Sequence, residues 1–129
     1  MLTVGRNPVR RVRVVNRTRG HVLAERAELA ATPWTRFWGL MGRPSVPLDE
    51  GLVLQPGGAI HTCFMRVPID VLHVDRRGQV THVVRGIRPW RLGPFLVGNR
   101  YAVELPAGAA RGTEPGDEVA VEPCDGAVR

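Results

Sequence analysis

The sequence predicts an α+β protein: a small curved, mainly antiparallel β-sheet or partial barrel with one short packed aromatic helix. Three observations carry this. Apolar residues alternate with polar ones in short runs bounded by Gly, Pro, Asn and Asp, which is the period of half-buried strands. The best helix signal lies at Thr32 to Arg43, where apolar residues fall at helical spacing between matching end signals. Finally, 129 residues suffice for one hydrophobic core without metals or disulfides, but not for two. The expected organisation is a basic N-terminal arm or edge strand over 1–19, a single α+β domain over 20–122 and a frayed tail over 123–129.

Val9 to Asn16 puts Val12 and Val14 on one face of a strand and Arg11 and Arg13 on the other, so one side is wet. Asn16 to Gly20 reads as a turn and His21 to Ala30 as a second strand, making the arginines the solvated side of an edge hairpin. In the helix, Thr32 is a fitting N-cap, Pro33 suits the first helical position and Gly42 the C-terminal cap. Trp34, Phe37, Trp38 and Met41 then form one apolar face that should lie across the sheet. Gly51 to Gln55 is a short buried strand and Pro56-Gly57-Gly58 a turn. Asp75-Arg76-Arg77-Gly78 is a hairpin turn between Val71 to Val74 and Gln79 to Arg85, with Val80, His82 and Val84 expected on one face. Ile87 opens a long loop through Asn99. Tyr101 to Pro106 is a strand with Val103 and Leu105 opposite Glu104, Ala107 to Arg111 a helical turn, and Val119 to Glu122 closes the sheet.

The stretch from His61 to Asp75 gathers the best candidate site residues. A strand over Ile60 to Arg66 would place His61, Cys63 and Met65 on one face and Thr62, Phe64 and Arg66 on the other. Pro68 marks a bend, after which Ile69, Val71 and His73 alternate with Asp70, Leu72 and Val74. Asp70 therefore falls on an apolar face, which is costly for a carboxylate unless a cation or several hydrogen bonds hold it. Arg66 is the nearest cation in sequence; a structural Asp pinning a turn is the other reading.

The net charge of +6 and pI near 11.1 suggest nucleic acid until the charge is located. Arg6, Arg10, Arg11, Arg13, Arg17 and Arg19 precede any acidic residue, and the later arginines equal the 12 acids in number. The body is formally neutral, and no recognition-helix, aromatic stacking or zinc-finger pattern accompanies the arm, so specific nucleic-acid binding is not expected. No apolar run is long enough to span a membrane and the first residues lack a signal core, which makes the cytoplasm the expected compartment. Cys63 and Cys124 are then expected as free thiols.

His61, Cys63, His73, His82 and Cys124 offer zinc donors without any zinc-site spacing, so no metal or other cofactor is expected. A nucleophilic triad of Cys63, His61 and Asp70 lacks an oxyanion donor pair, and no phosphate loop is present. What remains is a polar set of Arg43, His61, Arg66, Asp70, Arg91 and Glu104, which an antiparallel meander could bring together. Such a set suits a small polar or anionic ligand held by forked hydrogen bonds, and equally an internal salt-bridge network.

These residues also carry a resemblance. Ala31-Thr32 leading to Arg36, Gly39 to Arg43, His61-Thr62 through Met65-Arg66, Pro68 to Val71, Asp75 to Gly78, Val103 to Gly108 and Gly116-Asp117 follow in an order that resembles the bacterial and archaeal family catalogued as domain of unknown function 192. The likeness runs from about Glu25 to Val121 and implies a small α+β domain rich in antiparallel strands, with no reaction attached. Its motif positions here are Gly39, Leu40, Met41, Arg43, Met65, Pro68, Asp70, Glu104, Pro106 and Gly108, of which Arg43, Asp70 and Glu104 suit polar chemistry. Many relatives resemble exported proteins and carry an aromatic residue and Asn-Thr around the central methionine, where this chain has a basic arm and His61, Phe64 and Arg66. The expected function is non-catalytic binding of a small polar or anionic ligand, or of a protein partner, around His61, Arg66, Asp70 and Glu104. The alternatives are a small hydrolase or transferase with Asp70 or Glu104 as general base and Arg66 or Arg91 stabilising charge, and an electrostatic adaptor working through residues 6–19.

Overall fold

The structure is a computed structural model that describes residues 10–30, 48–55, 68–87 and 99–124. These form seven strands: β1 (Arg10–Asn16), β2 (His21–Ala30), β3 (Glu50–Leu54), β4 (Ile69–Val74), β5 (Val80–Ile87), β6 (Tyr101–Pro106) and β7 (Val119–Pro123). They share one sheet in the order β5-β4-β6-β3-β2-β1-β7, antiparallel throughout except for the parallel pair β2 and β3. The chemistry behind each strand is the alternation read from sequence. Val12 and Val14 are buried while Arg11 and Arg13 are exposed, and β3, β4 and β6, rich in Val, Leu and Ile, bury both faces.

The sheet curls until its two edges meet. Gln79, just before edge strand β5, bridges Glu118, just before edge strand β7. Val80 N–H donates to the Asp117 carbonyl at 2.8 Å, and Val119 N–H to the Gly78 carbonyl at 2.8 Å. The inner face then packs on itself: Val12, Val14, Leu23, Ala27, Val53, Leu72, Val74, Val103, Leu105 and Val119 make one cluster, joined by Ala109 and Ala110 from the turns after β6. A second cluster of Leu52, Leu54, Ile69, Val71, Ile87 and Ala102 lies on the outer face of the same sheet. Close strand contact inside the curl needs Gly51, where a Cβ would stand 2.8 Å from the Glu104 carbonyl oxygen.

The α+β expectation is corrected by this architecture. Among the described residues there is no helix, and they build a mainly β half-barrel whose inner face is covered by its own opposite wall and by the turns at 107–113. A curled sheet covers itself, so the helical lid that a flat sheet would require is not what encloses this core. The aromatic helix placed on Thr32–Arg43 and the strand placed on Ile60–Arg66 lie outside the described residues.

Three smaller readings also change. β1 is not an edge strand, because β7 pairs with its far side. The sheet is not a simple meander: β6 lies between β3 and β4, so chain order and spatial order part company after β3. Val80 does not share a face with His82 and Val84, because a bulge between the His73 and Val74 pairings turns it inward to the first core cluster. The hairpin at Asp75–Gly78 is as expected. Asp75 Oδ1 accepts from the N–H groups of Arg77 and Gln79, and Gly78 takes the positive φ of 85° that the turn requires.

Candidate functional site

Of the six predicted site residues, Arg43, His61, Arg66 and Arg91 lie outside the described residues. The other two, Asp70 and Glu104, are not convergent. Asp70 is opposite Leu105 and Val71 opposite Glu104, so the two acids point to opposite faces of the paired strands β4 and β6. Asp70 faces inward and is fully engaged. Its Oδ1 accepts from Gly86 N–H at 2.8 Å, and its Oδ2 from Gly108 N–H at 2.9 Å and Ala110 N–H at 3.2 Å. It is the pin that ties the end of β5 and the turns after β6 to β4, so the structural reading of this residue accounts for its geometry.

Glu104, also buried, differs in its face and its partners. It is buried on the outer face beside Leu52 and Val71, with no hydrogen bond or ion pair among the described residues, and burial raises its carboxyl to about 7. His73 shares that face, wholly buried, with neither ring nitrogen partnered among the described residues. Burial and, behind it, His82 across the strand pair lower its pKa, so the imidazole is held neutral. Among the described residues no group of His, Cys, Asp and Glu is arranged to hold a metal ion.

Three of the six front-loaded arginines are paired within the fold, by acids remote in sequence. Arg17 reaches Glu122 at 2.9 Å and Arg13 lies 3.9 Å from the same carboxylate. Arg19 donates to Asp117 at 2.6 Å, which with the Asn16 amide and the Glu114 N–H holds the Asp117 carboxyl down at about 2. Asn16, itself wholly buried, also donates to the Thr113 hydroxyl at 2.9 Å, and Arg85 donates to the carbonyls of Arg111 and Thr113 at 2.8 and 2.6 Å. The segment 107–118 is thereby stitched along the seam between β5 and the β1–β7 wall.

The other end of the half-barrel is different. Where β1 and β6 begin and β2, β3 and β7 end, a cavity of about 400 Å³ is lined by Arg10, Arg11, Val12, Leu29, Gln55, Arg100, Tyr101, Val121, Pro123 and Cys124. Among the described residues no acid lines it, and Arg10, Arg11 and Arg100 have no ion pair. Arg10 pairs with Leu29 and so shares the inner pleat that holds Val12 and Val14. The Arg100 guanidinium sits 5.0 Å above the Tyr101 ring. Cys124 is a free thiol at the rim, as expected for that cysteine.

The profile of the domain of unknown function 192 family, described as an uncharacterized ACR, matches residues 14–121, most of the chain. The protein belongs to that family. A UPF0127 protein of Thermococcus sibiricus is 34% identical over 112 residues, covering 82% of this chain and 72% of the relative. Two crystal structures share the fold of this domain of unknown function 192 protein. One, from Sinorhizobium meliloti 1021 and provisionally assigned as a transcription regulator, has a TM-score of 0.73 at 26% identity, covering 88% of this chain and 94% of that one. The other, a protein of unknown function from Novosphingobium aromaticivorans DSM 12444, gives 0.73 at 26% identity, covering 87% and 84%.

Sequence reasoning missed the mouth of this domain of unknown function 192 protein. One signal was within reach: Arg10 has the same parity in β1 as Val12 and Val14, which marks it as an inner-facing cation at a strand end. Arg100, Tyr101 and Leu29 carried none, because only the curl of the sheet brings β6 and β2 to the same rim as β1.

Proposed function

We propose that this protein is a binding domain for a small anionic ligand, seated in the mouth of the half-barrel. The observation that carries the reading is the arginine-lined cavity, whose guanidinium groups lack carboxylate partners among the described residues while those of Arg17 and Arg19 have them. Barrel mouths are common ligand sites, and a concave, largely apolar hollow with a few convergent polar groups is their usual form. Arginine suits the task because its planar fork binds carboxylate or phosphate oxygens in pairs and stays charged at any physiological pH. Asp70 has no part in this reading, since its oxygens already accept three backbone hydrogen bonds, and the same engagement removes it as a general base.

The test is a thermal melt of the full chain with inorganic phosphate and with acetate, against sodium chloride at equal ionic strength. The expected result is a concentration-dependent rise in Tm with either anion that is lost in the Arg10→Ala, Arg100→Ala double variant. A rise of equal size in sodium chloride, or one that survives the double variant, overturns it.

A further inference from the structure

Resting on the reading above, we infer that the ligand is an amphipathic anion, a short acyl or aryl carboxylate or phosphate ester, bound with its charged head at the rim and its apolar body directed into the half-barrel. Exposure falls from the arginines to the apolar residues among the described lining, with Gln55 and Cys124 half-buried beside them. Arg10 and Arg100 are exposed at the rim, Leu29, Tyr101 and Val121 form a half-buried wall, and Val12, 4% exposed, is the floor. The wall residues belong to the inner-face pleats that continue into the core, since Leu29, Tyr101 and Val121 all pack against the first hydrophobic cluster. An inorganic anion would satisfy the arginines and leave this apolar wall wet. An amphipathic one covers both surfaces at once, exchanging wall–water contact for hydrocarbon contact.

Size and preorganisation agree. At about 400 Å³ the cavity falls toward the small end of ligand pockets, which suits one ring or a short chain and not a long lipid. The Tyr101 ring holds the Arg100 guanidinium at 5.0 Å before any ligand arrives, so one headgroup donor loses little freedom on binding. Among the described lining residues the only charged groups are arginines, which favours an anionic head group: a cationic amphiphile would meet like charge from them.

The experiment is calorimetric titration of the full chain with acetate, octanoate, octylammonium and inorganic phosphate at constant ionic strength. The expected result is octanoate binding on the order of tenfold or more tighter than acetate, with no binding of octylammonium. Leu29→Ser should erase the advantage of octanoate over acetate while leaving the phosphate response, and Arg100→Ala should weaken acetate, octanoate and phosphate together. Circular dichroism melts of both variants establish that they are folded. If phosphate and acetate bind through Arg10 and Arg100 but octanoate is no better, the amphipathic ligand falls and anion binding stands. If no anion binds, both fall. Equal binding of octylammonium, or an octanoate advantage untouched by Leu29→Ser, overturns the orientation argued here.

Discussion

The seam and the mouth of the half-barrel are both rich in arginine and differ in what faces those arginines. Along the seam, Arg19 meets Asp117, Arg85 meets two carbonyls, and Asp70 gathers three N–H groups, so every one of these charges is answered inside the fold. At the mouth, Arg10 and Arg100 stand beside a hollow whose described lining residues include no acid. The same residue type therefore does two jobs. Cations answered within the fold hold the sheet closed, whereas those at the mouth have no carboxylate partner among the described residues. The difference makes the seam a place where substitutions should cost stability, while the proposed role of the mouth predicts that substitutions there cost anion binding instead.

The sharpest break of this comparison is Asp70→Asn. It puts an amide donor against backbone donors at a buried position, and a loss of about 4 kcal/mol in urea unfolding is expected. A neutral result would remove the seam's claim to be structural. Glu104 shows what a seam carboxylate would cost without its partners. Its folded carboxyl sits at about 7 against an ordinary 4.5, so between those values the folded state holds a proton that the unfolded state has released. Stability from this group is therefore lost as pH rises through that window, by about 3 kcal/mol in total. Glu104→Gln should match the parent near pH 5 and exceed it by that order at pH 8; a gap that does not grow with pH contradicts the unanswered acid.

Gly51→Ala comes next. A Cβ there meets the Glu104 carbonyl oxygen at 2.8 Å and Leu105 Cδ2 at 3.0 Å, and since backbone yields poorly, a loss of roughly 2 kcal/mol is expected from the unfolding midpoint. Asp117 refines the seam in the acid range. Its carboxyl lies at about 2 instead of 3.8, chiefly because of Arg19, so its contribution is complete above pH 4 and fades as pH falls toward 2. Urea midpoints between pH 5 and 2.5 should show this slope in the parent and its loss in Asp117→Asn. The smallest stability effect belongs to the mouth: Arg10→Ala and Arg100→Ala should each leave unfolding within about 0.5 kcal/mol of the parent. A larger loss would make the mouth arginines structural too.

Strand identity was legible because period-two alternation is local. β2 and β6 run over the very residues that the sequence pattern and flanking turns mark, and the alternation after Pro68 puts Asp70 on an apolar face, where it is buried. Face assignment failed at Val80, where one bulge residue reverses the parity that alternation assumes. The candidate site failed differently. Asp70 and Glu104 are both polar residues in apolar strands, and nothing in their own neighbourhoods says that Leu105 lies opposite one and Val71 opposite the other. That pairing puts them on opposite faces, and no reading of either strand alone contains it.

By itself the sequence determined the strands, the hairpin at Asp75–Gly78, the membership of the domain of unknown function 192 family and the concentration of arginine near the front of the chain. Each rests on residues within a few positions of one another, or on motifs in linear order. Only the tertiary structure decided which charges are answered and which are not. A carboxylate is quenched or exposed by groups that arrive from remote strands, as Asn16 and Asp117 do across 101 residues, and the curl that delivers them also opens the arginine-lined mouth. Hydrophobic periodicity tells a strand which side to bury; it carries no information about its neighbour in the sheet.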